Sequence, residues 1–98
     1  MTEPARVRVD ATPNPNAMKL TADRVLWEGR PLTVEERLQA FAFPLAGALL
    51  DIPGVRRLFF LRDFVTITRL PDADWGPIID AAQRVLEQHL DSMRRPPT

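Results

Sequence analysis

Hydrophobic and polar positions alternate most clearly between Val55 and Arg69, VRRLFFLRDFVTITR, and the pattern predicts two antiparallel strands. Valine, isoleucine, threonine and phenylalanine dominate both halves, and such side chains suit a pleated, half-buried surface. Arg62-Asp63 interrupts the apolar run and marks the turn. With the turn there, Phe60 faces Val65 and Leu58 faces Ile67, all on one side of the ribbon, because side chains alternate along a strand. The opposite side carries Arg57, Phe59, Leu61, Phe64, Thr66 and Thr68. The first side is wholly apolar and is the expected core face. The second is half apolar, and its two phenylalanines and leucine need a covering layer or a partner. Arg-Asp lacks the positive-φ preference of a two-residue turn, so a four-residue loop, Leu61 to Phe64, is expected; it keeps this register. A three-residue loop would exchange the two faces.

Upstream, Arg6 to Asp10 alternates as an amphipathic strand, with Val7 and Val9 on one face. Asn14-Pro15-Asn16-Ala17 fits a type I turn, and Pro13 biases Thr12 toward extended backbone. Met18 to Thr21 resumes the alternation, with Met18 and Leu20 inward. Val25-Leu26-Trp27 reads as a third, short strand ended by Glu28-Gly29-Arg30-Pro31. Thr33 and Glu36 have the spacing of a capping box, which predicts a helix with Leu38, Phe41 and Ala42 on one side. Pro44 cannot lie inside that helix without breaking it, so it opens a second segment, Pro44 to Asp51, with Phe43 just outside. There Leu45, Ala48, Leu49 and Ile52 form the apolar stripe, and Pro53-Gly54 closes it.

After a turn at Leu70-Pro71-Asp72, Asp74 is the expected N-cap of a long helix, which places Pro77 in the first turn. Trp75, Ile78, Ile79, Ala82, Val85, Leu86, Leu90 and Met93 recur at helical spacing. Arg94 and Arg95 lie where the helix dipole favours cations. These elements predict an α+β fold: two layers, a mainly antiparallel sheet with helices packed on one face. Residues 1–98 read as a single domain with frayed ends at 1–5 and 94–98.

Composition narrows the chemistry. The chain has 98 residues and no cysteine, which removes disulfides, thiolate metal ligation and cysteine nucleophiles within it. Thirteen basic and thirteen acidic residues cancel, so no global charge attracts nucleic acid or an anionic membrane. No stretch approaches the roughly 20 apolar residues of a membrane span, and the N-terminus has no signal-peptide core. The expectation is a cytoplasmic protein.

His89 lies between Leu86 and Leu90 and reads as a boundary residue of the helix. Asp72 and Asp74 are explained by the turn and the cap. Asp91 and Ser92 are sequence neighbours of His89 on one helix and form no triad. The glycines at 29, 47, 54 and 76 make no phosphate-cradling loop. The constellation left is Arg57, Phe59, Leu61, Arg62 and Phe64. Exposed aromatics flanked by arginine can stack single-stranded bases, but the RNA-binding consensus glycine is absent. A protein-contact face, or a face covered by another element, fits better.

Four ordered blocks resemble a known family. Thr12-Pro13-Asn14-Pro15-Asn16-Ala17-Met18-Lys19 resembles the TPNPNALKF opening of the N-terminal domain of NifU-like (Nfu) iron–sulfur scaffold proteins. Pro44-Leu45-Ala46 with Leu49, Ile52 and Gly54-Val55, then Phe59-Phe60 with Asp63 to Thr68, then Asp74-Trp75, resemble later segments of that domain. The resemblance runs from Thr12 to about Leu90. It departs at Leu20, where the family often has phenylalanine, and at Leu61-Arg62, where it often has a glycine-containing turn. The resemblance implies an α+β domain associated with iron–sulfur cluster assembly. In longer members a separate C-terminal domain holds the cluster with Cys-x-x-Cys, which this chain lacks.

The expected role is therefore a non-catalytic interaction module that contacts an iron–sulfur scaffold, carrier or client protein and meets a cluster only through that partner. The expected contact residues are Arg57, Phe59, Leu61, Phe64 and Thr66, with Asn14, Asn16 and Lys19 on the adjoining loop and strand. The alternatives are a regulatory module with no iron–sulfur role, or a homodimer through the same face. No catalytic or metal residue is expected.

Overall fold

The hairpin expected between Val55 and Arg69 lies inside a five-stranded sheet. The computed structural model describes residues 7–36 and 43–94. The elements are β1 (Val7–Ala11), β2 (Ala17–Ala22), β3 (Trp27–Val34), α1 (Pro44–Leu50), β4 (Val55–Arg62), β5 (Phe64–Arg69) and α2 (Trp75–Arg94). The strand order is β1-β2-β5-β4-β3, and every neighbouring pair is antiparallel. The architecture is the expected α+β arrangement.

Register follows the alternation of the sequence. Leu58 pairs with Ile67 and Phe60 with Val65, and all four are fully buried. Leu20 joins them from β2, opposite Val65. Leu45, Ala46 and Leu49 of α1 and Ile78, Ala82, Leu86 and Leu90 of α2 close the core on that side. Leu32, Val9 and Met18 are partly buried against the same cluster. Phe43 bridges Trp27 and Phe60, with ring centroids 5.0 Å from each. α2 begins at Trp75, directly after Asp74, with Pro77 in its first turn as expected.

Four expectations are corrected. The turn between β4 and β5 is tighter than a four-residue loop: Leu61 and Phe64 are direct partners, and Arg62 takes φ 53°. The reason is tertiary. The β2–β3 connection crosses this end of the sheet, and the Leu26 and Ala22 amides donate to the Arg62 and Asp63 carbonyls, each at 2.7 Å. These bonds hold a backbone conformation that the dipeptide alone disfavours.

The third strand begins at Trp27 and runs through Val34. Its register shifts between Trp27 and Leu32, so Glu28 to Pro31 form an irregular stretch that an edge strand can accommodate. Thr33 therefore pairs with Phe59 in the sheet and caps no helix. Strand pairing has overridden a local capping signal. Leu38, Phe41 and Ala42, expected on that helix, lie outside the described residues, as does the Met93 side chain. In α1 the buried stripe is Leu45, Ala46 and Leu49, with Ala48 exposed. Seven residues make too short a helix for a three-and-four pattern to choose between Ala46 and Ala48.

Candidate functional site

The face of the sheet opposite the helices brings most of the expected contact residues together. Directly paired residues in antiparallel strands point to the same side. One row across the sheet is therefore Asp10, Lys19, Thr66, Phe59 and Thr33. The next is Arg8, Thr21, Phe64 and Leu61. A third holds Ala17, Thr68 and Arg57. Phe59, Leu61 and Phe64 stand outside the hydrophobic core cluster and are half-buried among their strand neighbours. Among the described residues, both helices pack on the opposite face.

The centre of this face is aromatic and cationic. The Phe59 and Phe64 rings lie 6.3 Å apart, inclined by 40°. That separation and tilt are within the favourable range for aromatic pairs. The Lys19 ammonium sits 4.4 Å from the Phe64 centroid, a cation–π contact that places positive charge beside the apolar patch. Arg57 Nε lies 3.2 Å from Glu35 Oε2, an ion pair without hydrogen-bond alignment. Thr21 Oγ1, beside Phe64 in the sheet, is a buried hydroxyl with no hydrogen-bond partner. Half-buried aromatics, threonines and a lysine are suited to covering another protein's surface. The lysine also occupies one face of the Phe64 ring, a face that a stacked base would need.

Asn14 and Asn16 are placed differently. Their loop closes β1 and β2 at the end of β5 remote from Phe64. The Ala17 amide donates to the Asn14 carbonyl at 3.0 Å, as the expected turn requires. The Asn14 side-chain oxygen accepts from the Asn16 amide at 2.9 Å, and the Thr12 hydroxyl donates to the Ala17 carbonyl at 3.0 Å. Arg69 ties the loop to the rest of the molecule: Nε donates to Asn16 Oδ1 at 3.3 Å and Nη1 to the Ala73 carbonyl at 2.8 Å. The Arg69 guanidinium also lies 5.2 Å from the Trp75 ring, whose Nε1 donates to the Pro15 carbonyl at 3.1 Å. Both asparagine side chains are engaged within the fold. Their sequence neighbours do not reveal this, because Arg69 and Trp75 are remote along the chain.

The remaining titratable candidate is His89, in a groove between α1 and α2 lined by Pro44, Leu45, Ala48, Val85, Gln88 and Ser92. Burial lowers its pKa below the usual 6.5, because a desolvated imidazolium is disfavoured. Among the described residues, no three of His, Asp and Glu converge as a metal site.

Three comparisons bear on this arrangement. The family described as "Scaffold protein Nfu/NifU N terminal" matches residues 7–93. The human NFU1 iron-sulfur cluster scaffold homolog, mitochondrial, is 36% identical over 71 residues, covering 71% of this chain and 28% of the relative. NifU-like protein 5, mitochondrial, of Arabidopsis thaliana is 32% identical over 69 residues, covering 70% and 25%. Conserved virulence factor C of Staphylococcus haemolyticus is 30% identical over 95 residues, covering 92% and 25%. The chain thus spans about a quarter of the length of these curated relatives. The solution structure of a NifU-like protein from Saccharomyces cerevisiae superposes with a TM-score of 0.78 at 23% identity, covering 94% of this chain and 85% of that one. At that identity the likeness bears on the fold alone.

Proposed function

Because this chain belongs to the Nfu/NifU N-terminal family, we propose that it is a non-catalytic protein-interaction module acting in iron–sulfur cluster assembly. It docks an iron–sulfur scaffold, carrier or client protein through the open face of its sheet. The observation that supports this reading is the Phe59–Phe64 pair, which carries Lys19 at its edge and lies away from the helices. Arg57, Leu61 and Thr66 complete the contact. Asn14 and Asn16 stand apart from this patch, on a loop that their side chains also hold.

A thiolate-held cluster does not fit this chain, which has no cysteine. The cluster belongs to the partner. Several of the curated relatives are named as mitochondrial, and among the described residues no helix is long and apolar enough to cross a membrane. A cytoplasmic location remains part of the proposal.

The test is in-cell crosslinking from a photoreactive residue at Thr66, followed by identification of the captured proteins. The expected result is an iron–sulfur scaffold, carrier or client whose capture is lost with Phe59→Ala and Phe64→Ala. Capture of no iron–sulfur protein, or capture indifferent to both substitutions, overturns the reading.

A further inference from the structure

The two edges of the sheet differ in kind. β3, at one edge, has several features that hinder further pairing. Its register breaks between Trp27 and Leu32, Gly29 takes φ 117°, and Pro31 lacks an amide hydrogen. Trp27 Nε1 also donates to the Arg30 carbonyl at 2.7 Å, which engages one backbone acceptor of that stretch. β1, at the other edge, has none of these. All five of its residues pair with β2 without a shift, and it contains neither proline nor glycine. Among the described residues, β2 is its one strand partner, so its outer row of amides and carbonyls has no strand beside it.

The side chains on β1 specify what fits there. Arg8 and Asp10 lie on the open face, and Arg8 Nε is 2.9 Å from Asp10 Oδ2. Both are well exposed, at 75% and 46%. We propose that β1 pairs antiparallel with β1 of a second copy, about a two-fold axis through Val9. That register sets Arg8 opposite the partner's Asp10 and Asp10 opposite the partner's Arg8, on the same face and at Cβ separations of about 5 Å. Each carboxylate then lies between two guanidinium groups. Val9 meets the partner's Val9, and Val7 meets the partner's Ala11.

The charges also exclude the neighbouring registers. A two-fold through Arg8 sets arginine against arginine, and one through Asp10 sets aspartate against aspartate. Parallel pairing in register does both. One basic and one acidic residue two positions apart therefore select a single self-pairing, which a strand of like charges would forbid. The axis stands perpendicular to the sheet. The product is a continuous ten-stranded sheet that carries both open faces on one side and both α2 helices on the other.

This inference does not rest on the docking role proposed above. Its test is sedimentation equilibrium of the full chain from micromolar to millimolar concentration, at low salt. The expected result is a monomer–dimer equilibrium that Arg8→Asp and Asp10→Arg each weaken roughly tenfold or more. Mixing these two variants restores association as a heterodimer, and combining both substitutions in one chain restores the homodimer. Circular dichroism verifies that each variant is folded, which the exposure of both positions favours. A chain that stays monomeric throughout overturns the proposal. So does a dimer that ignores the charge changes and is dispersed by Phe64→Asp, since that dimer would use the open face.

Discussion

Trp75 Nε1 donates to the Pro15 carbonyl at 3.1 Å, joining the first residue of α2 to a turn that lies 60 positions earlier in the chain. Arg69 reinforces the same junction from β5 through Asn16 and Ala73. This corner gives Asn16, Arg69 and Trp75 a role within the fold. Trp75→Phe keeps the ring beside Arg69 and removes one donor, so it is expected to lower stability by about 1 kcal/mol. Arg69→Ala removes two side-chain hydrogen bonds and the ring contact together and is expected to cost about 2–3 kcal/mol. Urea denaturation of both variants measures the difference. Equal effects would mean that the Arg69 contacts together are worth no more than the single indole hydrogen bond.

Gly54 turns the chain from α1 into β4 with φ 94°. A Cβ there would lie 2.9 Å from Ala73 Cβ and 3.0 Å from Ile78 Cδ1, where α2 packs against the turn. Gly54→Ala therefore adds overlap to backbone strain and is expected to cost about 2–4 kcal/mol. Gly29 has φ 117° but open space around it, so Gly29→Ala is expected to cost about 1–2 kcal/mol from strain alone. Thermal denaturation of the two alanine variants tests the ranking.

The parts of the fold that were legible in the sequence are those where local pattern and tertiary packing agree. Leu58, Phe60, Val65 and Ile67 alternate because one side of the hairpin faces both helices, and a period-two pattern displays that directly. α2 was legible for the corresponding reason at a period of 3.6. β3 was not. Glu28 to Pro31 reads as a strand terminator, and Thr33 with Glu36 reads as a helix start. Edge position explains the discrepancy: an outer strand tolerates a bulge and a proline, and the β4 ladder draws Thr33 and Val34 into the sheet. In the candidate site, alternation placed Phe59, Leu61, Phe64 and Thr66 on one face, and register added Lys19 beside them. Polarity in the loop marked the asparagines as candidates, but the bond that ties Asn16 to Arg69 across the fold was not legible, because the two lie 53 positions apart.

His89 gives the fold a pH dependence. Its folded pKa lies below the unfolded value of about 6.5, because burial disfavours the imidazolium. Between the two values the unfolded chain binds more protons than the folded one, so stability rises with pH across that window. The contribution is complete above about 6.5 and is lost as pH falls toward the folded value. The wild type is thus expected to lose stability on acidification through this range more steeply than His89→Gln. Parallel slopes for the two proteins would remove His89 as the cause.

Phe59 and Phe60 are adjacent and answer to different partners. Phe60 is completely buried and touches Phe43, which in turn touches Trp27. Phe60→Ala is therefore expected to cost about 3–5 kcal/mol and to change Trp27 fluorescence, because the cavity opens beneath that aromatic run. Phe59 and Phe64 contact each other on the opposite face, where truncation opens no core cavity. Each alanine variant there is expected to cost about 1 kcal/mol of stability. If the open face docks a partner, the same variants weaken that complex roughly 30-fold or more, the scale of a central aromatic anchor. The two measurements separate the roles. Phe59→Ala and Phe64→Ala should leave the melting temperature within about 4–8 °C of wild type while losing the partner. Large losses of stability at both positions would instead identify the open face as part of what holds this domain together.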